Sequence, residues 1–516
     1  MEELPVSEKT DKDESLLKRE NICILSASLL LGVIFDILFY GKAFGASYPI
    51  FVLAFYAVIL WYSRKNIMFK LDFGWLLGIP ILMLSLTYVL FSNEMFYALN
   101  FIGIPILVIA QTLLITGNSR HKWFTAGFAG DIIHGFFIRT FGGVFKPFKI
   151  VAALMEKKAV PGRYSAAKKV FIGIIVSIPL LLIIVTLLSS ADRVFEHFMG
   201  EIPKLLKNIN LGEYVVQIII VIFITTLIFS YTWSLLNPRA AGYIKLPETG
   251  GFGRNTWDPV IIATILVVIN IIYLFFTFVQ FSYLFGSLKY GLPGNFSYSE
   301  YARRGFFELI AVTLINFSIL VGCINFTKKS GSIMNNMVRS LNSLLVVCTI
   351  VMLFSAYSRM SLYEEVYGYT YLRMLTHAFM IFLFVVFLIT FFKIWNNKLS
   401  LLKSYVIVAL ISYLIINFMN IDVVIAKNNI DRYFKTGKID AGYLTSLSYD
   451  AIPQLTRMLD CKDKAISGKF ENYLYRAKDR LAKERPWQSF NISIYRAKVV
   501  LSEYEVKYDK QYEDAR

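Results

Sequence analysis

The chain is a succession of apolar stretches, each close to the length that carries an α-helix through a lipid bilayer. A spanning helix needs about 20 mostly apolar residues, because the hydrocarbon core is about 30 Å thick. Eleven stretches qualify: 22–41, 47–63, 73–91, 95–116, 169–189, 213–236, 258–285, 304–326, 340–357, 372–395 and 402–420. Lipid offers no partner to backbone N–H and C=O groups, so segments of this kind fold as helices. The expected fold is all-α, an integral membrane protein of about eleven transmembrane helices plus a small C-terminal α-helical domain. Charge content agrees. Charged residues are 17% of the 516, and mean hydropathy is +0.56, whereas a soluble domain carries about 25% charged residues. A soluble enzyme is excluded, and so is disorder outside the ends.

Five segments follow. Residues 1–20 are polar, with seven acids and four bases, and read as a disordered cytoplasmic N-terminus. Residues 21–116 form a four-helix membrane segment, 117–168 a basic linker, 169–420 a seven-helix membrane core and 421–516 a helical tail domain. The first apolar stretch is too long for a signal-peptide core and lacks a small-residue cleavage site, so it reads as a retained helix. With the N-terminus inside, the inner segments hold 26 Lys and Arg and the outer loops nine. That asymmetry follows the positive-inside rule. It puts the N-terminus in the cytoplasm and, with an odd number of spans, the tail outside.

The linker mixes Lys and Arg with Trp123, Phe124, Phe128, Phe136, Phe137, Phe141, Phe145 and Phe148. This suits an amphipathic segment lying in the head-group layer. A connector made basic by topology alone would look the same. In the tail, Tyr443, Leu444, Leu447 and Ile452, Leu455, Leu459 predict two short helices split near Pro453. Longer helices are expected at 464–484 and 491–507, divided by Pro486, with Asn491 or Ser489 as a cap.

No phosphate-binding glycine loop, dinucleotide fingerprint, zinc-protease helix or nucleophile elbow is present. The four cysteines, Cys23, Cys323, Cys348 and Cys461, include no C-x-x-C pair, and the four histidines are scattered. No metal, cofactor or catalytic residue is expected. The net charge of +17 meets lipid head groups, not nucleic acid. The mid-span polar residues are neutral: Gln111, Asn270, Gln280 and Asn316. They serve helix–helix hydrogen bonds or line a transport cavity.

Charged groups collect instead at the outer ends of spans. Asp192 and Arg193 close the fifth span. Glu300, Arg303, Arg304 and Glu308 open the eighth, where Glu300, Arg304 and Glu308 share one helix face. Arg359, Glu364, Tyr367 and Arg373 occupy the expected loop between spans nine and ten, and Asp422 follows the eleventh. Arginine binds phosphate or carboxylate bidentately. If these ends converge, they make a site for an anionic lipid or envelope precursor; otherwise they are ion pairs that pin loops and dock the tail.

The same stretches resemble a bacterial family of polytopic membrane proteins known only as a domain of unknown function. The matching residues include Ser190-Ala191-Asp192-Arg193, Tyr301-Ala302-Arg303-Arg304-Gly305-Phe306-Phe307-Glu308 and Tyr367-Gly368-Tyr369-Thr370-Tyr371-Leu372-Arg373. Others are Asn420-Ile421-Asp422, Ser448-Tyr449-Asp450-Ala451-Ile452-Pro453 and Trp487-Gln488-Ser489-Phe490-Asn491. The resemblance runs from about residue 20 to 500 and implies an integral membrane protein of the bacterial envelope; the expected location is the plasma membrane. It implies no activity. The leading expectation is a non-catalytic sensor or accessory subunit that binds an anionic lipid or envelope component at its outer face. A transporter or lipid flippase is the second reading. A membrane-embedded transferase with Asp192 or Glu300 as base is the third.

Overall fold

The computed structural model describes residues 17–64, 72–158, 211–237, 257–286, 306–328 and 331–505, with eight single residues between 173 and 195. The membrane helices are α1 (Arg19–Phe39), α2 (Ser47–Ser63), α3 (Phe73–Leu90) and α4 (Glu94–Ile115). Two short helices follow, α5 (Gly127–His134) and α6 (Lys146–Lys158). Then come α7 (Leu211–Leu236), α8 (Pro259–Gly286), α9 (Phe306–Phe326), α10 (Ser332–Tyr367), α11 (Tyr371–Trp395) and α12 (Leu401–Phe418). The tail contributes α13 (Ile421–Thr436), α14 (Ala441–Thr445), α15 (Ile452–Leu455), α16 (Lys464–Ala482) and α17 (Ile492–Ser502). Among the described residues nine helices are long and apolar enough to cross a membrane, and α2 is a shorter apolar helix. No strand occurs among them; Trp257 and Thr327 form one isolated bridge. The protein is an all-α membrane protein. The candidate span at 169–189 lies almost wholly outside the described residues.

One expectation is corrected. Arg359, Glu364 and Tyr367 are not in a loop: they lie on the last turns of α10, which runs 36 residues. At about 1.5 Å per residue this helix is about 54 Å long, well beyond a core of about 30 Å. Nothing between Ser332 and Tyr367 breaks it, since the stretch contains neither Gly nor Pro. It stops at Gly368, whose φ of +87° a side chain would resist.

The spans pack in two groups. One core joins α8, α9, α10 and α11 around Leu266, Leu320, Leu345, Leu353 and Phe387. The other joins α2, α3 and α4 around Ile81, Leu84 and Tyr88, with Leu410 and Leu414 of α12 packed against it. Helix α7 lies on α1. Gly32 permits this approach, because a Cβ there would sit 2.3 Å from Thr225 Oγ1. Helix α12 bridges the groups. Tyr405 meets Thr390 of α11 at 2.6 Å, and Tyr413 donates to Asn100 of α4 at 2.7 Å.

The mid-span amides are taken up between helices. Asn316 accepts from Tyr273 at 2.8 Å and donates to Thr349 at 2.9 Å. Asn270 donates to the Leu341 carbonyl at 3.0 Å, Gln280 accepts from Ser355 at 2.7 Å, and Gln111 accepts from Tyr56. These are helix–helix contacts worth about 1 kcal/mol each.

At the end of the bundle away from the tail, the linker folds back onto the spans. Asn118 donates to the Leu235 carbonyl at 2.8 Å, and Asp131 accepts from the Arg120 and His121 amides at 2.8 Å each. Lys146 sits over the Trp233 ring at 2.7 Å. Burial, with Lys149 nearby, pushes its pKa down to about 8. Ile133, Phe137, Phe141 and Phe145, spaced by four, remain exposed, as an in-plane segment touching lipid would leave them.

The tail is built as expected at 464–482 and 492–502, and Asn491 caps α17 by accepting from the Ile494 amide at 3.0 Å. Pro453 does not split a helix pair; it sits in the first turn of α15, where a missing N–H costs nothing. Helix α13 was not anticipated as a separate element. It buries Ile421, Ile425, Ala426 and Ile430 against Leu455, Phe470, Leu474 and Ala497.

Candidate functional site

The tail sits on one end of the spans, and the loops beneath it are those expected on one side of the membrane. Between α1 and α2, the Ala46 amide donates to the Phe490 carbonyl at 3.0 Å, and Ser489 Oγ donates to the Ala43 carbonyl at 2.9 Å. Between α3 and α4, Asn491 Nδ2 reaches the Tyr88 carbonyl at 2.9 Å and the Phe91 carbonyl at 2.5 Å. It thereby satisfies end carbonyls of α3 while its Oδ1 starts α17. Between α10 and α11, Asn429 of α13 pairs with the Tyr369 backbone, accepting from N at 2.9 Å and donating to O at 2.8 Å. Arg432 donates to the Glu365 and Val366 carbonyls at 2.9 and 2.8 Å, capping α10. Burial and the Arg373 charge lower its pKa.

At the centre lie two carboxylates. Asp422 is 0% exposed and Asp450 is 6% exposed. Asp422 accepts from Asn93 Nδ2 at 2.6 Å and from the Tyr371 hydroxyl. Asp450 accepts from the amide and hydroxyl of Ser92, both at 2.6 Å, and from Asn420 Nδ2 at 3.0 Å. Ser448 Oγ lies 2.7 Å from Asp422 Oδ2 and 3.0 Å from Asp450 Oδ2. The Tyr371 amide donates to the Tyr443 hydroxyl at 2.9 Å. Burial raises the Tyr443 pKa; the bond from Tyr371 lowers it and the Asp422 charge raises it. The chain enters this junction through Asn420, at a φ of 48°. Asparagine tolerates that left-handed turn better than most residues. Below it, Asn100 donates to Thr87 at 3.0 Å and to Asn417 at 2.8 Å. The polar chain therefore runs from inside the spans up to the tail.

Beside Asp450 the junction opens into a recess of about 220 Å³. Leu90, Phe91, Val423 and Pro453 are apolar parts of its wall, and Gln454, Ser493 and Arg496 are polar ones. Arg496 is exposed.

The sequence-selected residues divide. Asp422 is at the centre. Glu364 is buried, with Oε2 3.1 Å from His377 Nε2 on α11. Arg373 lies over the Tyr363 ring at 4.4 Å and donates to the Gly368 carbonyl. Tyr367 is exposed beside Tyr363 and Arg359 is half-buried on α10. Glu308 is exposed at the start of α9. Asp192 is exposed and accepts from the Phe195 amide at 3.2 Å. Arg193, Glu300, Arg303 and Arg304 lie outside the described residues. Ser92, Asn93, Ser448, Asp450 and Arg496 were not selected. For Ser448 and Asp450 the signal was their place in the resembling stretches. Among the described residues no group of three or more His, Cys, Asp or Glu is placed to hold a metal.

Comparison with known proteins yields one match. No curated protein and no solved structure matches the chain. The profile of the domain of unknown function DUF4153 matches residues 78–458, from within α3 to the middle of the tail, which takes in Ser92, Asn93, Tyr371, Asp422, Ser448 and Asp450 of the junction. The chain belongs to the DUF4153 family.

Proposed function

We propose that this is a non-catalytic protein of the bacterial plasma membrane that binds the anionic group of a lipid or envelope component on its tail side, as a sensor or accessory subunit. The observation that carries the reading is the recess at the foot of the tail. Leu90 and Phe91 end a span, so the recess meets the membrane at the level where head groups lie. Its apolar wall suits the start of an acyl chain and Arg496 suits a phosphate. The N-terminus is cytoplasmic and the tail outside, supported by 26 basic residues against nine and by the gathering of the outer loops under the tail. The transport reading draws less support, since Asn270, Gln280 and Asn316 each hydrogen-bond a neighbouring helix. For a transferase, Asp192 is exposed and caps a turn by accepting from the Phe195 amide.

Lipid analysis of the full chain, purified in a mild detergent, tests the reading. A phosphate-bearing lipid or precursor held through repeated detergent exchange is the expected result. A protein that is stripped bare and rebinds none of a panel of envelope lipids would sink it.

A further inference from the structure

We infer that the recess beside Asp450 takes an amine-bearing phospholipid head group, with its phosphate at Arg496 and its ammonium toward Asp450. This rests on the lipid-binding reading above and narrows it. The charges on the page call for a zwitterion. Two carboxylates, 0% and 6% exposed, sit one hydroxyl apart at Ser448. Among the described residues no Lys, Arg or His pairs with either. Buried charge is normally paired, because leaving it unpaired is costly. Hydrogen bonds from Ser92, Asn93, Asn420 and Tyr371 meet part of that cost, but the single Ser448 proton cannot serve both acids. Among the described residues no cation neutralises either acid, and the space next to Asp450 is a cavity. The recess also carries an exposed arginine without an ion pair among the described residues. A purely anionic head group would satisfy Arg496 and be repelled by Asp450. A quaternary ammonium offers no N–H to the acid. A primary ammonium next to a phosphodiester satisfies both. At about 220 Å³, below the roughly 300–1,000 Å³ of pockets for drug-sized ligands, the recess suits a head group and not a whole lipid.

The test uses the full chain in nanodiscs of equimolar phosphatidylethanolamine, phosphatidylglycerol and phosphatidylcholine with matched acyl chains. Retained lipid is read by native mass spectrometry. Phosphatidylethanolamine is expected to be retained over both others by about tenfold, the worth of one charge-assisted hydrogen bond. Arg496→Gln should lower that retention by a similar factor. Asp450→Asn should erase the preference over phosphatidylglycerol. Because Asp450 also holds the tail, Val423→Trp is run beside it; that change narrows the recess without removing a side-chain hydrogen bond. Preferential retention of phosphatidylglycerol, or phosphatidylethanolamine retention that survives both Arg496→Gln and Val423→Trp, overturns the inference and leaves the broader reading standing. Loss of every phospholipid from the wild-type chain overturns the inference, and failure to rebind the envelope-lipid panel as well overturns both.

Discussion

Asp422→Ala should detach the tail. The carboxylate is completely buried and serves Asn93 of the α3–α4 loop, Tyr371 of α11 and Ser448 of the tail at once. Removing it strips the Tyr371 hydroxyl of its acceptor, leaves Asn93 only the Tyr371 hydroxyl and leaves Ser448 only Asp450. A buried group left without its partner costs about 1–3 kcal/mol, so the change should cost roughly 2–4 kcal/mol with the lost charge-assisted bonds included. That is a large part of what holds an ordinary domain together. Asp422→Asn keeps one acceptor oxygen but turns an amide toward the Asn93 amide, so it should fall between wild type and Ala. Thermal unfolding in detergent and limited proteolysis check this. The expected record is a lower Tm and rapid cleavage within 421–505 for Asp422→Ala, with the spans left intact. An unchanged Tm and an uncut tail would mean that the junction is not what secures it.

Gly368→Ala should be the next most damaging single change, and Gly437→Ala provides its control. Both glycines have left-handed φ, +87° and +71°. The conformational cost for a side chain is about 1–2 kcal/mol at Gly437, which is in the left-handed helical region, and about 1–3 kcal/mol at Gly368, whose ψ of 173° puts it where essentially only glycine goes. Only Gly368 is crowded. A Cβ there would lie 2.5 Å from Asn429 Oδ1 and 2.9 Å from Arg432 Nη1, whereas at Gly437 nothing is within 4 Å. Those two side chains clamp the α10–α11 turn to α13, so Gly368→Ala should displace them and add about 1–3 kcal/mol of lost hydrogen bonding. The measurement is again thermal unfolding, with a fall for Gly368→Ala about twice that for Gly437→Ala. Equal falls would show that the clamp contributes little.

The spans were legible because apolar length is a direct consequence of bilayer thickness, and each described membrane helix but α10 begins and ends near its apolar stretch. Helix α10 was misjudged for the same reason. Arg359 and Glu364 lie past the length that lipid requires, and charge was taken for loop, although no residue there stops a helix. Glu364 is buried in any case against His377. In the tail, Asp463 and Asn491 cap helices as their types favour. Helix α13 went unseen because it is polar overall, yet Ile421, Ile425 and Ala426 with Ile430 keep the spacing of one buried face. The junction was half legible. Asp422 could be selected as a charge beside a span end. Its companions Ser92 and Asn93 are neutral, and Ser92 meets Asp450 across 358 positions of chain, a pairing that no local pattern contains.

Which side of the membrane the tail occupies decides which leaflet the recess can draw on, and the protein carries its own reporter. Cys461 is half-buried in the tail, Cys323 and Cys348 are buried between spans, and Cys23 lies near the start of α1 at the opposite end. The direct measurement is labelling of intact cells with a membrane-impermeant maleimide, with Cys461→Ser and lysed cells as controls. Labelling of intact cells that vanishes in Cys461→Ser is the predicted result, because the positive-inside rule assigns the basic ends of the spans to the cytoplasm. Labelling of Cys461 only after lysis would contradict it, and would place the tail and its recess against the inner leaflet.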